Sequence, residues 1–321
     1  MLESIGFASL CMTRQCWEQG ILSQAFYESN DTFSKDNSIC ELMVRDIVLR
    51  QSDDGRLCNV ENTPAITDSS FCIPSVLGVS HATSNDSYLA AAKKNIDYLR
   101  HKAPCTHDGV LYHIINTCEI WADSAAFTPY SMSLFGYHDE AFQQMKGLLG
   151  RLKAPNSNMY YHMWNEDTKA FIRDKLWGIG NGWILTGLMR LYLEMPKDMK
   201  DERSWLYDRY ISLLDSLLSI MTIDGKFHDI LDDQTTFFET ETSAMVAYTL
   251  IRSIREGIID SSYLQSAKTI RKYVLSKVSV DGLVMDCASS PDFIQPGTSI
   301  EGQAHTLMME VEFAKIYTKE I

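Results

Sequence analysis

Apolar residues recur three and four positions apart along much of the chain, in stretches that include Ile39 to Leu49, Tyr88 to Leu99, Ile184 to Leu193, Leu206 to Met221, Ala244 to Ile254 and Tyr263 to Val274. The two-residue alternation of a half-buried strand is scarce by comparison, so the pattern predicts an all-helical protein. Between these stretches recurs a short turn followed by apolar or aromatic residues: Asp54-Gly55-Arg56-Leu57, Asp108-Gly109-Val110-Leu111-Tyr112-His113, Asn158-Met159-Tyr160-Tyr161-His162, Asp224-Gly225-Lys226-Phe227-His228 and Asp281-Gly282-Leu283-Val284. Taken singly, an Asp-Gly pair is ordinary turn chemistry. Together the turns fall roughly 50 to 65 residues apart, room for one helix in and one helix out, so the repeating unit is a helical hairpin.

Five or six such hairpins form either an open solenoid or a closed ring. Closure is favoured by the segments that open the inner helices, Ile120-Trp121-Ala122-Asp123 and Trp177-Gly178-Ile179-Gly180-Asn181-Gly182-Trp183, which concentrate tryptophan, glycine and acid. Such residues fit the rim of a pocket better than a repetitive concave surface.

The chain of 321 residues, 45% hydrophobic, carries no low-complexity tract or Pro/Gly-rich hinge, and reads as a single domain over residues 1–321. Its formal net charge of −13, spread along the sequence, excludes an electrostatic grip on nucleic acid or an anionic membrane. An anionic ligand must then be small, met by a few local cations and oriented amides. The eight cysteines include no C-x-x-C pair, which leaves zinc-ribbon and thioredoxin-type readings without support and predicts mostly buried, reduced thiols. No positively charged n-region precedes the apolar stretch from Ile5 to Met12, and no run approaches the ~18 apolar residues of a membrane span, so the expectation is a soluble, cytoplasmic protein.

Two acids are candidates for chemistry. Asp123 follows Trp121-Ala122 and precedes the apolar segment from Ala125 to Phe135, interrupted by Pro129, which is expected to complicate or kink a helix there. It is either an N-cap or a carboxylic acid whose pKa is raised beside an indole, able to donate a proton near neutral pH. Asp68 holds the matching place before Ser69-Ser70-Phe71, at the head of the preceding inner helix, so the two carboxyls can share one opening with a single charge between them. Helix N-termini stabilise carboxylates. Burial against Trp121, Trp177 and Trp183 must outweigh that dipole for Asp123 to stay un-ionised. His162, in an aromatic-rich turn, is either structural or a hydrogen-bonding partner for a sugar stacked on aromatic faces, and Trp17 is either core or pocket. Asp232-Asp233, Glu239 and Glu241 read as acids at a helix start, explained by a solvated first turn. Phosphate-loop, G-x-S-x-G and H-E-x-x-H patterns are absent from the sequence.

Trp17-Glu18-Gln19-Gly20, Asp68, Trp121-Ala122-Asp123, Tyr161-His162-Met163-Trp164, Trp177-x-x-Gly180-Asn181-Gly182-Trp183 and Glu239-x-x-x-Ser243-Ala244-Met245 run in order along the chain, which ends in Glu301-Gly302-Gln303-Ala304. This ordered set resembles the unsaturated rhamnogalacturonyl hydrolases of glycoside hydrolase family 105, and more distantly the unsaturated glucuronyl hydrolases of family 88. The resemblance implies an (α/α)6 barrel that acts without metal or organic cofactor on a small unsaturated oligosaccharide derived from pectin. It implies protonation of C4 of the terminal uronate's C4=C5 bond, with water adding at C5. Asp123 matches the proton donor, Asp68 the second acid, and Trp17, Trp121, His162, Trp177 and Trp183 the pocket-lining residues. Two departures stand out. Ile179 occupies the place of an arginine that many relatives carry, which leaves Lys175, Arg173 or amides near Gly180 to meet the substrate carboxylate. Ser124, Ala125, Ala126 and Phe127 are smaller than the family pattern and suggest a reshaped subsite. The alternatives to a galacturonyl hydrolase are a relative acting on another unsaturated uronide, such as a glucuronyl one, and a catalytically silent sugar-binding barrel. No oligomeric state is implied.

Overall fold

The helices are of two kinds that alternate along the chain. One kind buries a single stripe: α5 (Asp86–His101) hides Tyr88, Ala91, Ala92, Asn95, Ile96 and Leu99 and turns its charged positions to water. With it belong α1 (Leu2–Leu10), α3 (Ser38–Leu49), α7 (His138–Leu152), α9 (Lys200–Ile220) and α11 (Leu264–Ser276). The other kind is buried all round. In α8 (Gly178–Glu194) every residue from Gly178 to Leu191 is buried, and in α10 (Thr240–Arg255) every residue from Thr240 to Ile251. Between these two kinds of surroundings, α2 (Cys16–Glu28), α4 (Ile73–Thr83), α6 (Thr128–Leu134) and α12 (Ile300–Tyr317) complete an inner ring, closed where α12 packs on both α10 and α2. The computed structural model describes residues 1–29, 38–59, 63–290 and 292–317, and over them the chain is an (α/α)6 barrel. Close packing of the inner helices needs small residues: a Cβ on Gly187 of α8 would lie 2.0 Å from the Ala125 carbonyl oxygen.

The connections differ at the two ends. Returns from inner to outer helices at Ser84-Asn85 and Phe135 to Tyr137 are short, whereas every passage from an outer to the next inner helix after α3 is long and contains one of the predicted turns. Gly55, Gly109, Gly225 and Gly282 all adopt positive φ, from 83° to 113°; at the remaining turn the positive φ, 57°, falls on Asn156, two residues ahead of the motif. The long loops are tied down locally. Arg56 Nη1 donates to the carbonyls of Thr63 (2.7 Å) and Ala65 (2.9 Å), fixing the segment that leads to Asp68. A three-stranded antiparallel sheet of β1 (Glu119–Trp121), β2 (Met163–Asn165) and β3 (Ala170–Arg173) joins two loops, and the Ala122 amide donates to the His162 carbonyl at 2.9 Å. That pairing sets Asp123 beside His162. A small hairpin, β4 (Cys287–Ala288) with β5 (Pro296–Gly297), precedes α12.

Pro129 does not kink a helix. Residues Ala122–Ala125 form a 3-10 turn, and α6 starts only at Thr128, with Pro129 in its first turn, where no intrahelical N–H is lost. Asp232 and Asp233 lie in a turn well before α10, with Asp233 accepting from Thr235. The eight cysteines are free, five of them buried. Among the described residues no helix is long and apolar enough to cross a membrane. Asn30-Asp31-Thr32, an N-x-[ST] triplet of a length that occurs by chance, falls outside the described residues.

The C-terminal ends of α2, α8 and α10 share a buried charge cluster. Glu28 accepts from Arg252 Nη1 at 3.0 Å and from the Tyr248 hydroxyl at 2.9 Å, with Arg190 Nη2 at 3.7 Å. Burial opposes its ionisation, but Arg252 and Arg190 overcome it and hold the carboxyl at about 2. A depressed carboxyl contributes stability above its unfolded pKa of ~4.3, and loses it as pH falls toward its folded value. Removing one partner leaves two buried guanidinium groups poorly compensated, so Glu28→Gln is expected to cost ~3–5 kcal/mol near neutrality. Urea denaturation at pH 7 measures this; a loss under ~1 kcal/mol would mean that the cluster does not hold the barrel together.

Candidate active site

All six inner helices start around one opening, and each contributes a side chain to a cavity of about 420 Å³: Trp17 from α2, Asp68 from the 3-10 turn before α4, Asp123 from the turn before α6, Trp177, Ile179 and Trp183 around the start of α8, Glu241 from α10 and Glu301 from α12. The seven residues expected at the site, Asp68, Asp123, Trp17, Trp121, His162, Trp177 and Trp183, therefore line one cavity. Trp17 Nε1 donates to Glu301 Oε1 at 2.6 Å, joining the first inner helix to the last across the ring closure. Asn181 fastens α8 to the preceding loop through the Tyr160 amide and the Tyr160 and Trp177 carbonyls, at 2.9 to 3.0 Å.

Each aspartate faces a histidine. His162 Nε2 lies 3.0 Å from Asp123 Oδ2, while its Nδ1 lies 3.1 Å from Arg173 Nη1. A guanidinium only donates, so the ring carries its hydrogen on Nε2 and gives it to Asp123. His113 is held by Thr67 Oγ1 (2.8 Å) and Ser124 Oγ (3.0 Å) at Nδ1, and its Nε2 stands 3.5 Å from Asp68 Oδ1. Trp121 lies between the two histidines, stacked on His113 at 4.3 Å and edge-on to His162 at 5.8 Å. Trp177 packs on His162 at 4.5 Å and donates Nε1 to buried Asp229 at 3.0 Å. Phe71 and Trp183, edge to face at 5.3 Å, form an apolar wall.

The charge distribution corrects one expectation. Asp123 is not the un-ionised member of the pair: burial pushes its pKa up, but the His162 hydrogen bond, helped by the His162 and His113 rings, holds it below the ordinary aspartate value. Asp68, 8% exposed, is pushed up to about 7 by burial first and then by the charges of Asp123 and Glu301. Of the two carboxyls, Asp68 is therefore the one that holds a proton more tightly, being protonated below about pH 7, while Asp123 is charged. Burial similarly raises Glu301 to about 7 and drives His113 down to about 4, so that ring is neutral.

Other expectations fail on packing. Glu239 and Glu241 are not solvated: both are at most 1% exposed. Glu239 caps α10 by accepting from the Glu241 and Thr242 amides, and Glu241 lines the cavity with Oε2 accepting from Ser299 (2.7 Å) and Oε1 without a partner among the described residues. Ser124 to Phe127 are buried and do not line the cavity themselves; they meet it through the residues behind which they pack, Ser124 holding His113 and Phe127 lying against Phe71. Lys175 is exposed and away from the lining, whereas Arg173 is part of it. His113, Glu241 and Glu301 are missed as site residues by the sequence reading. His113 has a signal, since it ends its turn motif as His162 ends the next. Among the described residues no group of three or more His, Cys, Asp or Glu side chains could hold a metal ion.

A protein-family model described as Glycosyl Hydrolase Family 88 matches residues 8–316. The chain belongs to this family. This family 88 chain is 28% identical over 226 residues to the unsaturated rhamnogalacturonyl hydrolase YesR of Bacillus subtilis (strain 168), a match covering 65% of the chain and 62% of that protein. It thus spans less than two thirds of that relative's length. Its fold is shared with a possible family 105 member from Klebsiella pneumoniae (TM-score 0.83, 17% identity, 94% of this chain and 82% of that one). A family 105 glycoside hydrolase of C. acetobutylicum also shares it (TM-score 0.81, 18% identity, 98% and 99%). The sequence motifs set family 105 nearer than family 88; the family model that matches is that of family 88, and family 105 structures share its architecture.

Proposed function

We propose that this chain is a glycoside hydrolase that removes a terminal 4,5-unsaturated uronic acid, an unsaturated galacturonyl group, from oligosaccharides derived from pectin or rhamnogalacturonan. The observation that carries the reading is a pair of aspartates, Asp68 and Asp123, each facing a histidine in one cavity walled by tryptophan, with the pKa of one pushed up and that of the other held down. Hydration of an enol ether needs a proton delivered to carbon and a water relieved of one. In the proposed reaction a carboxylic acid of the pair gives its proton to C4, the water oxygen bonds to C5, and the partner carboxylate accepts the water's proton. The hemiketal then opens, the bond to the remaining sugar breaks, and that sugar leaves with its hydroxyl. One water is consumed and the pair ends with the proton it began with. In the free protein that proton rests on Asp68. An anionic substrate that displaces water from Asp123, whose side chain is 23% exposed, raises the proton affinity of Asp123 by desolvation and by like charge, and so draws the shared proton to the residue that the sequence resemblance makes the donor.

A glucuronyl substrate is the second reading, and its chemistry narrows the choice. Galacturonate and glucuronate differ at C4 alone, and the double bond removes that stereocentre, so both give the same unsaturated residue. Selectivity must come from the linkage and the aglycone. The cavity lining supplied by Pro64, Ala65, Ile114, Met163 and Phe293 is apolar, which favours a methyl-bearing 6-deoxy sugar such as rhamnose over a sulfated amino sugar. The test is loss of ultraviolet absorbance from unsaturated uronyl disaccharides with rhamnose or hexosamine as aglycone. The rhamnose compound is expected to be bleached fastest; unchanged absorbance across the panel overturns the hydrolase reading.

A further inference from the structure

Among the described lining residues the cavity holds Asp68, Asp123, Glu241, Asp292 and Glu301, and one permanent cation, Arg173. An anion entering such a site has few places to go. In the first turn of α8 the side chain that reaches the cavity, Ile179, is hydrocarbon, which leaves backbone amides as the only donors there. Arg173 comes instead from β3. Its guanidinium lies over the Trp177 ring at 5.1 Å and spends Nη1 on His162; Asp229 and Asp123 attract it from a distance, and among the described residues no carboxylate forms an ion pair with it. Lining arginines without a carboxylate partner are suited to receive one, because the planar fork matches its two oxygens.

We propose that Arg173 is the group that receives the substrate's carboxylate, so that preference for a free acid over its ester resides in β3 and not in the first turn of α8. This rests on the reading of the site as one for an unsaturated uronide. The same residue sets the donor chain from Arg173 through His162 to Asp123, and a carboxylate bound there sits next to the Trp177 face and within reach of the catalytic pair. Arg173 is thus a specificity residue that also positions His162.

The test compares an unsaturated galacturonyl-rhamnose disaccharide as free acid and as methyl ester, in wild type, Arg173→Gln and Arg173→Lys, with thermal melts to confirm folding. Loss of a charge-assisted contact to the substrate is expected to raise KM for the acid by about 10- to 100-fold in Arg173→Gln and KM for the ester by much less, while kcat falls for both alike through the freed His162. Arg173→Lys is expected to recover part of the preference, which a purely structural role for the guanidinium would not give. A wild-type preference for the acid that persists in both folded variants overturns the assignment while leaving the hydrolase reading in place. Calorimetry with galacturonate and its methyl ester separates the two. Arg173-dependent binding of galacturonate without turnover of either disaccharide would keep the carboxylate site and remove the hydrolase; no binding and no turnover would remove both.

Discussion

Asp123→Asn is expected to lower turnover of the unsaturated disaccharide by ~10²–10⁴-fold, the usual worth of a positioned acid or base, while the barrel stays folded. The substitution is nearly isosteric. The amide oxygen of asparagine still accepts from His162 Nε2, now 3.0 Å from the carboxylate, so the ring keeps its place and Trp121 keeps its packing between the two histidines. Asp123 caps no helix through its side chain, and no helix terminus is undone. What disappears is the ability to take and return a proton at the cavity wall. Ultraviolet bleaching read beside the melting temperature checks both halves of the prediction. Near-wild-type turnover by a folded variant would remove Asp123 from the chemistry.

The fold was readable along the chain because two separate signals repeat. Outer helices such as α5 and α11 show a stripe, since one side meets the inner ring and the other meets water. Inner helices are buried on every side, so burial does not force a stripe on them, although α10 carries one. Periodicity accordingly exposes α8 and α10, whose apolar runs are long, and passes over α4 and α6, which are short and preceded by 3-10 turns. The Asp-Gly turns carry the second signal. They mark the passage from outer to inner helix, the end of the barrel where the long loops gather.

The site was readable only where a residue announces itself locally. Asp68, Asp123 and the tryptophans sit in motifs at helix heads. Glu241 and Glu301 sit at helix heads too, but whether such an acid is solvated or enclosed depends on ring closure, and closure brings α12 against α2 only after nearly the whole chain has been traversed. The protonation order was out of reach for a similar reason. Tryptophan neighbours alone predict an un-ionised Asp123; the sheet that sets β1 against β2 brings His162 onto it and reverses the order. Arg173, on a four-residue strand, has no sequence pattern of its own.

Asp68 gives the remaining large effect, and its pH dependence tells donor from bystander. With its pKa raised to about 7, chiefly by burial and then by Asp123 and Glu301, the carboxyl is protonated below that pH and charged above it. If the reaction draws on this proton, kcat/KM holds at acid pH until the other carboxylates protonate, and falls tenfold per pH unit once pH passes about 7. Asp68→Asn is neutral at every pH but has no proton to give. It is therefore expected to lose ~10²–10³-fold in kcat/KM at pH 6 and to lose the alkaline limb as well. A variant that stays active and merely flattens the profile would show that Asp68 needs only to be uncharged, as a donor of a hydrogen bond to the sugar. The proton that reaches C4 would then have to be loaded onto Asp123 from water rather than passed across the pair.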